Sequence, residues 1–241
     1  MVALLAAVAA AAVAADPHST TRVEIAPSVW MPRLTLNAFP DTPSWLQVGG
    51  RSVDCALDYG DARQGEMGRA VASSGIPRSE LFVTTKVPCC PKAHFGASGW
   101  PWLPAKNCTL SRNSTADIEY DLDIIGTNYI DLLLLHFTCD RWEDTLKAWR
   151  ALESAALSGK VRAIGVSNFN RTDIDKLMAS AHIPPAVNQA GFAIGSPQNA
   201  TLGRDWATIK RCQELGITYE AYAPFGEQNA TAPTINPNKP Q

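Results

Sequence analysis

Tyr129-Ile130-Asp131-Leu132-Leu133-Leu134-Leu135-His136, an amphipathic stretch over 144–157, the stop Gly159 and the run Val161-Arg162-Ala163-Ile164-Gly165-Val166-Ser167 together decide the fold. Each apolar run is short and bounded, as a buried strand is, and the segment between them repeats its apolar residues at helical spacing. Strand, helix, strand is the unit of a parallel sheet covered by helices. The same alternation extends in both directions from Val53 onward. Further strands are predicted over 34–39, 52–56, 81–87, 186–189 and 217–223, and further helices over 65–74, 115–125, 172–181 and 204–215. Ile118, Leu122 and Ile125 share one helical face, Ser114-x-x-Asp117 reads as a capping box, and Gly126 as a helix stop.

Four polar residues close or follow these runs: Asp54, Tyr59, Lys86 and His136. A tyrosine is a weak acid, with a reference pKa near ~10, so its use as a proton donor near neutrality calls for a cation that stabilises the phenolate. Lys86 is the candidate cation, Asp54 the group that holds the ammonium, and His136 the group that orients a polar oxygen. A lone histidine after four leucines is more often a satisfied core group. Several polar positions at the same ends of parallel strands make that reading poor, since barrel active sites gather there.

Asp54-Cys-Ala-Leu-Asp-Tyr59, Glu66-Met-Gly68, Thr85-Lys86, Tyr129 to His136, Gly159 to Phe169 with its Gly-Val-Ser-Asn-Phe run, Asn188-Gln189 and Ala221-Tyr-Ala-Pro-Phe-Gly226 resemble the aldo-keto reductases over roughly residues 23–226. The resemblance implies a (β/α)8 TIM-barrel type of α/β fold and hydride transfer from NADPH to an aldehyde or ketone. It assigns Tyr59 as general acid, Lys86 as the group lowering its pKa, Asp54 as the partner of Lys86, and His136 as the group orienting the carbonyl. It also assigns Ser167, Asn168 and Gln189 to the nicotinamide carboxamide and Tyr222 to stacking on the ring. Only seven strands are predicted, so the eighth strand and its helix are expected to be lacking, with a disordered tail over 227–241. Departures from the family's pattern lie around the cofactor: Thr35-Leu-Asn-Ala38 in the first strand, Ala223 after the stacking tyrosine, and Ala190-Gly-Phe192 after Gln189. The alternatives to a reductase are a secreted non-catalytic barrel acting as a binding protein and an inactive truncated fragment.

With 241 residues, 18% of them charged, and a net charge of −2, the chain can bury a sizeable core and offers no basic surface for nucleic acid. Residues 1–15 are uncharged and rich in alanine, with the small-residue spacing of a signal peptide, and too short to span a bilayer. The barrel is therefore expected over 16–226. Eleven asparagines should form about 1.5 Asn-x-Ser/Thr triplets by chance, yet five are present, at Asn107, Asn113, Asn170, Asn199 and Asn229. Both signals point to secretion or a secretory lumen, with a cytoplasmic location the alternative. Six cysteines fit an oxidising compartment. Cys90 to Cys108 is the favoured bridge, Cys139 a candidate partner for Cys89, and Cys55 and Cys212 are expected as buried thiols. The scattered histidines and the absence of Cys-x-x-Cys argue against a metal site, and that of Gly-x-Gly-x-x-Gly against a Rossmann domain. The aperiodic insertion 88–113, with Trp100 and Trp102, is either a pocket lid or a stapled surface loop.

Overall fold

A computed structural model describes residues 21–37, 40–89, 113–193 and 200–225. The leader, the tail, nearly all of the insertion with Trp100 and Trp102, and the Cys90–Cys108 pairing lie outside the described residues.

The described chain begins with an antiparallel hairpin, β1 (Arg22–Ala26) and β2 (Val29–Pro32). Seven parallel strands follow, paired in chain order: β3 (Leu36–Asn37), β4 (Ser52–Asp54), β5 (Phe82–Val87), β6 (Ile130–Leu135), β7 (Val161–Ser167), β8 (Val187–Gly191) and β9 (Thr218–Tyr222). Helices α1 (Thr42–Gln47), α2 (Asp61–Ser73), α3 (Ser114–Ile125), α4 (Trp142–Leu157), α5 (Arg171–Met178) and α6 (Trp206–Glu214) connect them. Seven predicted strands are thus seven observed ones. The hairpin and α1 were not expected, because each is too short to show a period. Predicted helix 65–74 begins a turn earlier, at Asp61.

The sheet is strongly curled. Gln189 Nε2 on β8 lies 3.1 Å from Asp54 Oδ2 on β4, although four strand spacings of a flat sheet would separate them by roughly 19 Å. The result is a half-barrel with an inside and an outside. Alternation along each strand then decides which residues meet inside. Phe82, Leu132, Leu134, Ala163 and Val187 pack together in the interior, closed from below by Ile25, Val29 and Met31 of the hairpin. Their neighbours Leu133, Leu135, Ile164 and Val166 face outward onto Ile118, Trp149, Leu152, Ile174 and Leu177 of the helices. The interior is tight: a Cβ on Gly165 would come within 2.6 Å of the Val187 carbonyl and 2.8 Å of Leu134.

Local signals are partly relocated. Asn113, not Ser114, caps α3, its Oδ1 accepting from Ala116 N at 2.9 Å. The reciprocal capping box stands instead on α5, between Asn170 and Asp173. Gly126 ends α3 in the left-handed region, as expected of a helix stop.

Cys89 is bonded to Cys139, tying the segments that leave β5 and β6, while Cys55 and Cys212 are buried free thiols. Burial pushes their pKa up to about 12 and about 11, which keeps both unreactive near neutrality. The bridge closes a 50-residue separation. The double variant Cys89→Ser/Cys139→Ser is expected to lose about 2–4 kcal/mol of unfolding free energy, read from urea midpoints under oxidising conditions.

Candidate active site

The parity that sends Leu132 and Leu134 inward also sends His136 inward, directly after β6. By the same alternation Phe82 carries Lys86 inward on β5, and Val53, packed outward, leaves Asp54 inside at the end of β4. All three are buried. Lys86 Nζ donates to Asp54 Oδ1 at 2.5 Å and to the Cys55 carbonyl at 2.9 Å. Between β4 and α2 a single 3-10 turn, Leu57–Tyr59, returns the chain over the interior. It places the Tyr59 ring 5.3 Å from Lys86 Nζ and 5.6 Å, edge to face, from the His136 ring. The four residues predicted from sequence therefore meet at one point. Phe137, the residue after His136, is buried with its ring 4.7 Å from the His136 ring.

The electrostatics differ from expectation in one respect. Burial lifts the Tyr59 pKa above the ordinary phenol range, and Lys86, which pulls it down, does not outweigh that. Lys86 offsets the desolvation of its neighbour rather than producing a net fall. For Lys86 itself burial favours the neutral amine, but Asp54, and less strongly Tyr59, reverse this and hold the ammonium above its usual range.

Ser167, Asn168, Gln189 and Tyr222 lie on the adjoining rim formed by β7, β8 and β9. Asn168 has φ of 60°, a left-handed conformation that asparagine tolerates better than most residues, and Ala223 has φ of 51°, a costlier choice. The rim is knitted together from within. Ser167 Oγ donates to the Gln189 carbonyl (2.8 Å), Asn168 Nδ2 to Ser167 Oγ (3.0 Å) and to the His136 carbonyl (3.3 Å), and Tyr222 OH to Asn168 Oδ1 (2.8 Å). Gln189 Nε2 bridges two carboxylates, Asp54 Oδ2 at 3.1 Å and Glu220 Oε2 at 3.0 Å. In residue type and position the four fit a nicotinamide: two amides and a hydroxyl for its carboxamide, beside an aromatic ring. Their own donors, however, already have partners, so holding a carboxamide requires at least one exchange.

Three residues of the site were not anticipated. Asp58, fully buried, lies with Oδ1 2.8 Å from His136 Nδ1. Glu220 meets Asp54 through Gln189, and its pKa is raised to about 7 by burial first and by repulsion from Asp54 second. Arg204 stands over the Tyr222 ring, 5.1 Å from its centroid, and hydrogen-bonds its hydroxyl. Glu220 had a usable signal: it is two residues before Tyr222 and so shares its face. Asp58 lies on a turn, where no period assigns a direction, and Arg204, the first residue of the helix predicted over 204–215, precedes the observed α6, which begins at Trp206.

The family model described as the aldo/keto reductase family matches residues 38–240. Morphine 6-dehydrogenase of Pseudomonas putida is 32% identical over 206 residues, which cover 82% of this chain and 61% of that protein. An aldo-keto reductase from a Medee basin deep-sea metagenome library superposes with a TM-score of 0.63 at 31% identity, over 80% of this chain and 63% of its own. The Bombyx mori aldo-keto reductase in complex with NADP does so with a TM-score of 0.58 at 27% identity, over 80% and 63%. The chain thus spans about three-fifths of the length of these relatives.

Proposed function

This chain belongs to the aldo/keto reductase family, and we propose that it reduces an aldehyde or ketone with NADPH, with Tyr59 protonating the carbonyl oxygen. The observation that carries this reading is the convergence of Tyr59, His136 and the Lys86–Asp54 pair at one point of the interior. Ser167, Asn168, Gln189 and Tyr222 would hold the cofactor, which supplies the hydride that adds to the carbonyl carbon. The NADP-bound relative supports a nicotinamide dinucleotide as the donor.

The protein's part is proton delivery. A phenol held above its ordinary range is fully protonated near neutrality, so Tyr59 rests loaded. As the carbonyl carbon gains its hydride, the oxygen takes the Tyr59 proton, the phenol O–H bond breaks, and the product is an alcohol. The phenolate left behind is stabilised by Lys86, whose ammonium Asp54 keeps charged and in place. His136 aligns the oxygen.

Tyr59→Phe is expected to lower turnover of a generic aldehyde by about 10²–10⁴-fold, while the NADPH affinity, followed by quenching of the seven tryptophans, stays as in the parent chain. Equal turnover in the variant would remove Tyr59 from its role. One observation favours a second reading, a barrel that binds without catalysis: the rim donors are paired internally and Arg204 stands over the Tyr222 ring. Absence of quenching up to millimolar NADPH would select it.

We also propose passage through a secretory compartment, supported by the five triplets and by the Cys89–Cys139 bridge. Both asparagines cap a helix through Oδ1, but Asn113 is exposed, whereas Asn170 Nδ2, the atom a glycan would occupy, donates to the Thr201 carbonyl at 3.3 Å. A glycan is therefore expected at Asn113 in preference to Asn170. No helix among the described residues is long and apolar enough to cross a membrane.

A further inference from the structure

Asp58 precedes Tyr59 on the 3-10 turn, and in a solvent-facing turn an aspartate would point outward. Here it is fully buried, with Oδ1 2.8 Å from His136 Nδ1. Its Oδ2 is buried with no hydrogen-bond partner among the described residues. Among the described residues, the imidazole is thus the one hydrogen-bond partner of the buried Asp58 carboxylate.

We propose that Asp58 is a positioning residue that holds the proton of His136 on Nδ1 and so makes Nε2 the nitrogen that works on the substrate oxygen. The chemistry follows from what each group can do. A carboxylate only accepts hydrogen bonds, so a contact at 2.8 Å requires the proton to be on Nδ1. The backbone of His136 is pinned as well: its N–H donates to the Val87 carbonyl at 3.0 Å and its carbonyl accepts from Asn168 Nδ2 at 3.3 Å. With both main-chain groups and Nδ1 held, the ring keeps little freedom, and Phe137 and Tyr59 lie against it. Nε2 then donates to a carbonyl oxygen when the ring carries two protons, and accepts from an alcohol hydroxyl when it carries one. The same residue serves both directions of the proposed reaction, and the carboxylate behind it sets which nitrogen does so.

This inference rests on the reductase reading only for its kinetic consequence; the tautomer itself is a property of the folded chain. The test is a long-range proton–nitrogen correlation spectrum of the uniformly ¹⁵N-labelled full chain at about pH 9, above the ordinary histidine range, with His136 assigned by its loss in His136→Gln. The expected result is an Nδ1-protonated ring in the parent chain and a shift to mainly Nε2-protonated imidazole in Asp58→Ala. Alongside, kcat for a generic aldehyde should fall about 10- to 100-fold in Asp58→Ala, the scale on which the loss of a carboxylate behind a working histidine is felt, with little change in KM or NADPH affinity. A parent chain with His136 protonated on Nε2 alone overturns the proposal, and so does an unchanged tautomer in a folded Asp58→Ala. If that variant does not fold, the parent spectrum decides. Should the parent chain turn over no aldehyde, the reductase reading fails while the spectrum still answers for Asp58; active enzyme with the other tautomer refutes Asp58 alone.

Discussion

Lys86→Met is expected to cost about 3–5 kcal/mol of unfolding free energy near neutrality, the loss typical of removing one partner from a buried ion pair. Lys86 and Asp54 are 1% and 7% exposed, and the ammonium is the one cation seen against the Asp54 carboxylate among the described residues. Methionine fills much the same volume, so the penalty comes from charge and not from a cavity. Glu220, bridged to Asp54 through Gln189, makes it worse. The pH dependence has a defined sign. Lys86 has a raised pKa in the folded state, so its contribution is complete below the unfolded lysine value near ~10.4 and is lost as pH climbs through the folded value. Tyr59, also raised, moves the same way in the same alkaline window. Urea unfolding at neutral pH and in the alkaline range should therefore show a gap between the two chains that narrows as pH rises. An equal stability at neutral pH would mean that the pair contributes nothing net.

Glu220→Gln should stabilise the protein, by on the order of 1–3 kcal/mol at pH 8. The folded-state pKa of Glu220 is about 7 against 4.5 for an unperturbed glutamate. A carboxyl raised in this way adds stability that is fully present below 4.5 and disappears as pH rises through about 7, because above that value a charge must be kept beside Asp54. Glutamine keeps an oxygen for the Gln189 amide and carries no charge. Asp121, buried against Gln64 and raised well above the usual carboxylate range, has the same sign. The parent stability curve will thus slope for two reasons, and the difference between parent and variant isolates Glu220. A difference that is flat from pH 4.5 to 8 would rule out this account.

Much of the architecture was legible because strand alternation and helix periodicity are local. The seven strand positions, the inward positions of Asp54, Lys86 and His136, and the buried thiols Cys55 and Cys212 follow from residues within a few positions of one another, while the parallel order follows from the strand–helix alternation and the family resemblance. The Cys89–Cys139 pairing was one candidate among several, and only the closeness of the ends of β5 and β6, with Cα atoms 4.8 Å apart, selects it. The hairpin, α1 and the cap at Asn113 were missed, each being shorter than the window in which a period shows.

The sequence by itself determined the kind of site: alternation along single strands is enough to carry Asp54, Lys86 and His136 to one face, and the family resemblance added Tyr59 as the acid. Tertiary structure alone decided what surrounds them. Curling the sheet brings β8 and β9 against β4, so Gln189 and Glu220 reach Asp54. Folding the 3-10 turn over the interior puts Asp58 against His136. Whether Tyr59 becomes more or less acidic is likewise a competition between burial and a charge from another strand, and burial prevails. Desolvation is a property of every neighbour at once, so no spacing along the chain can state it.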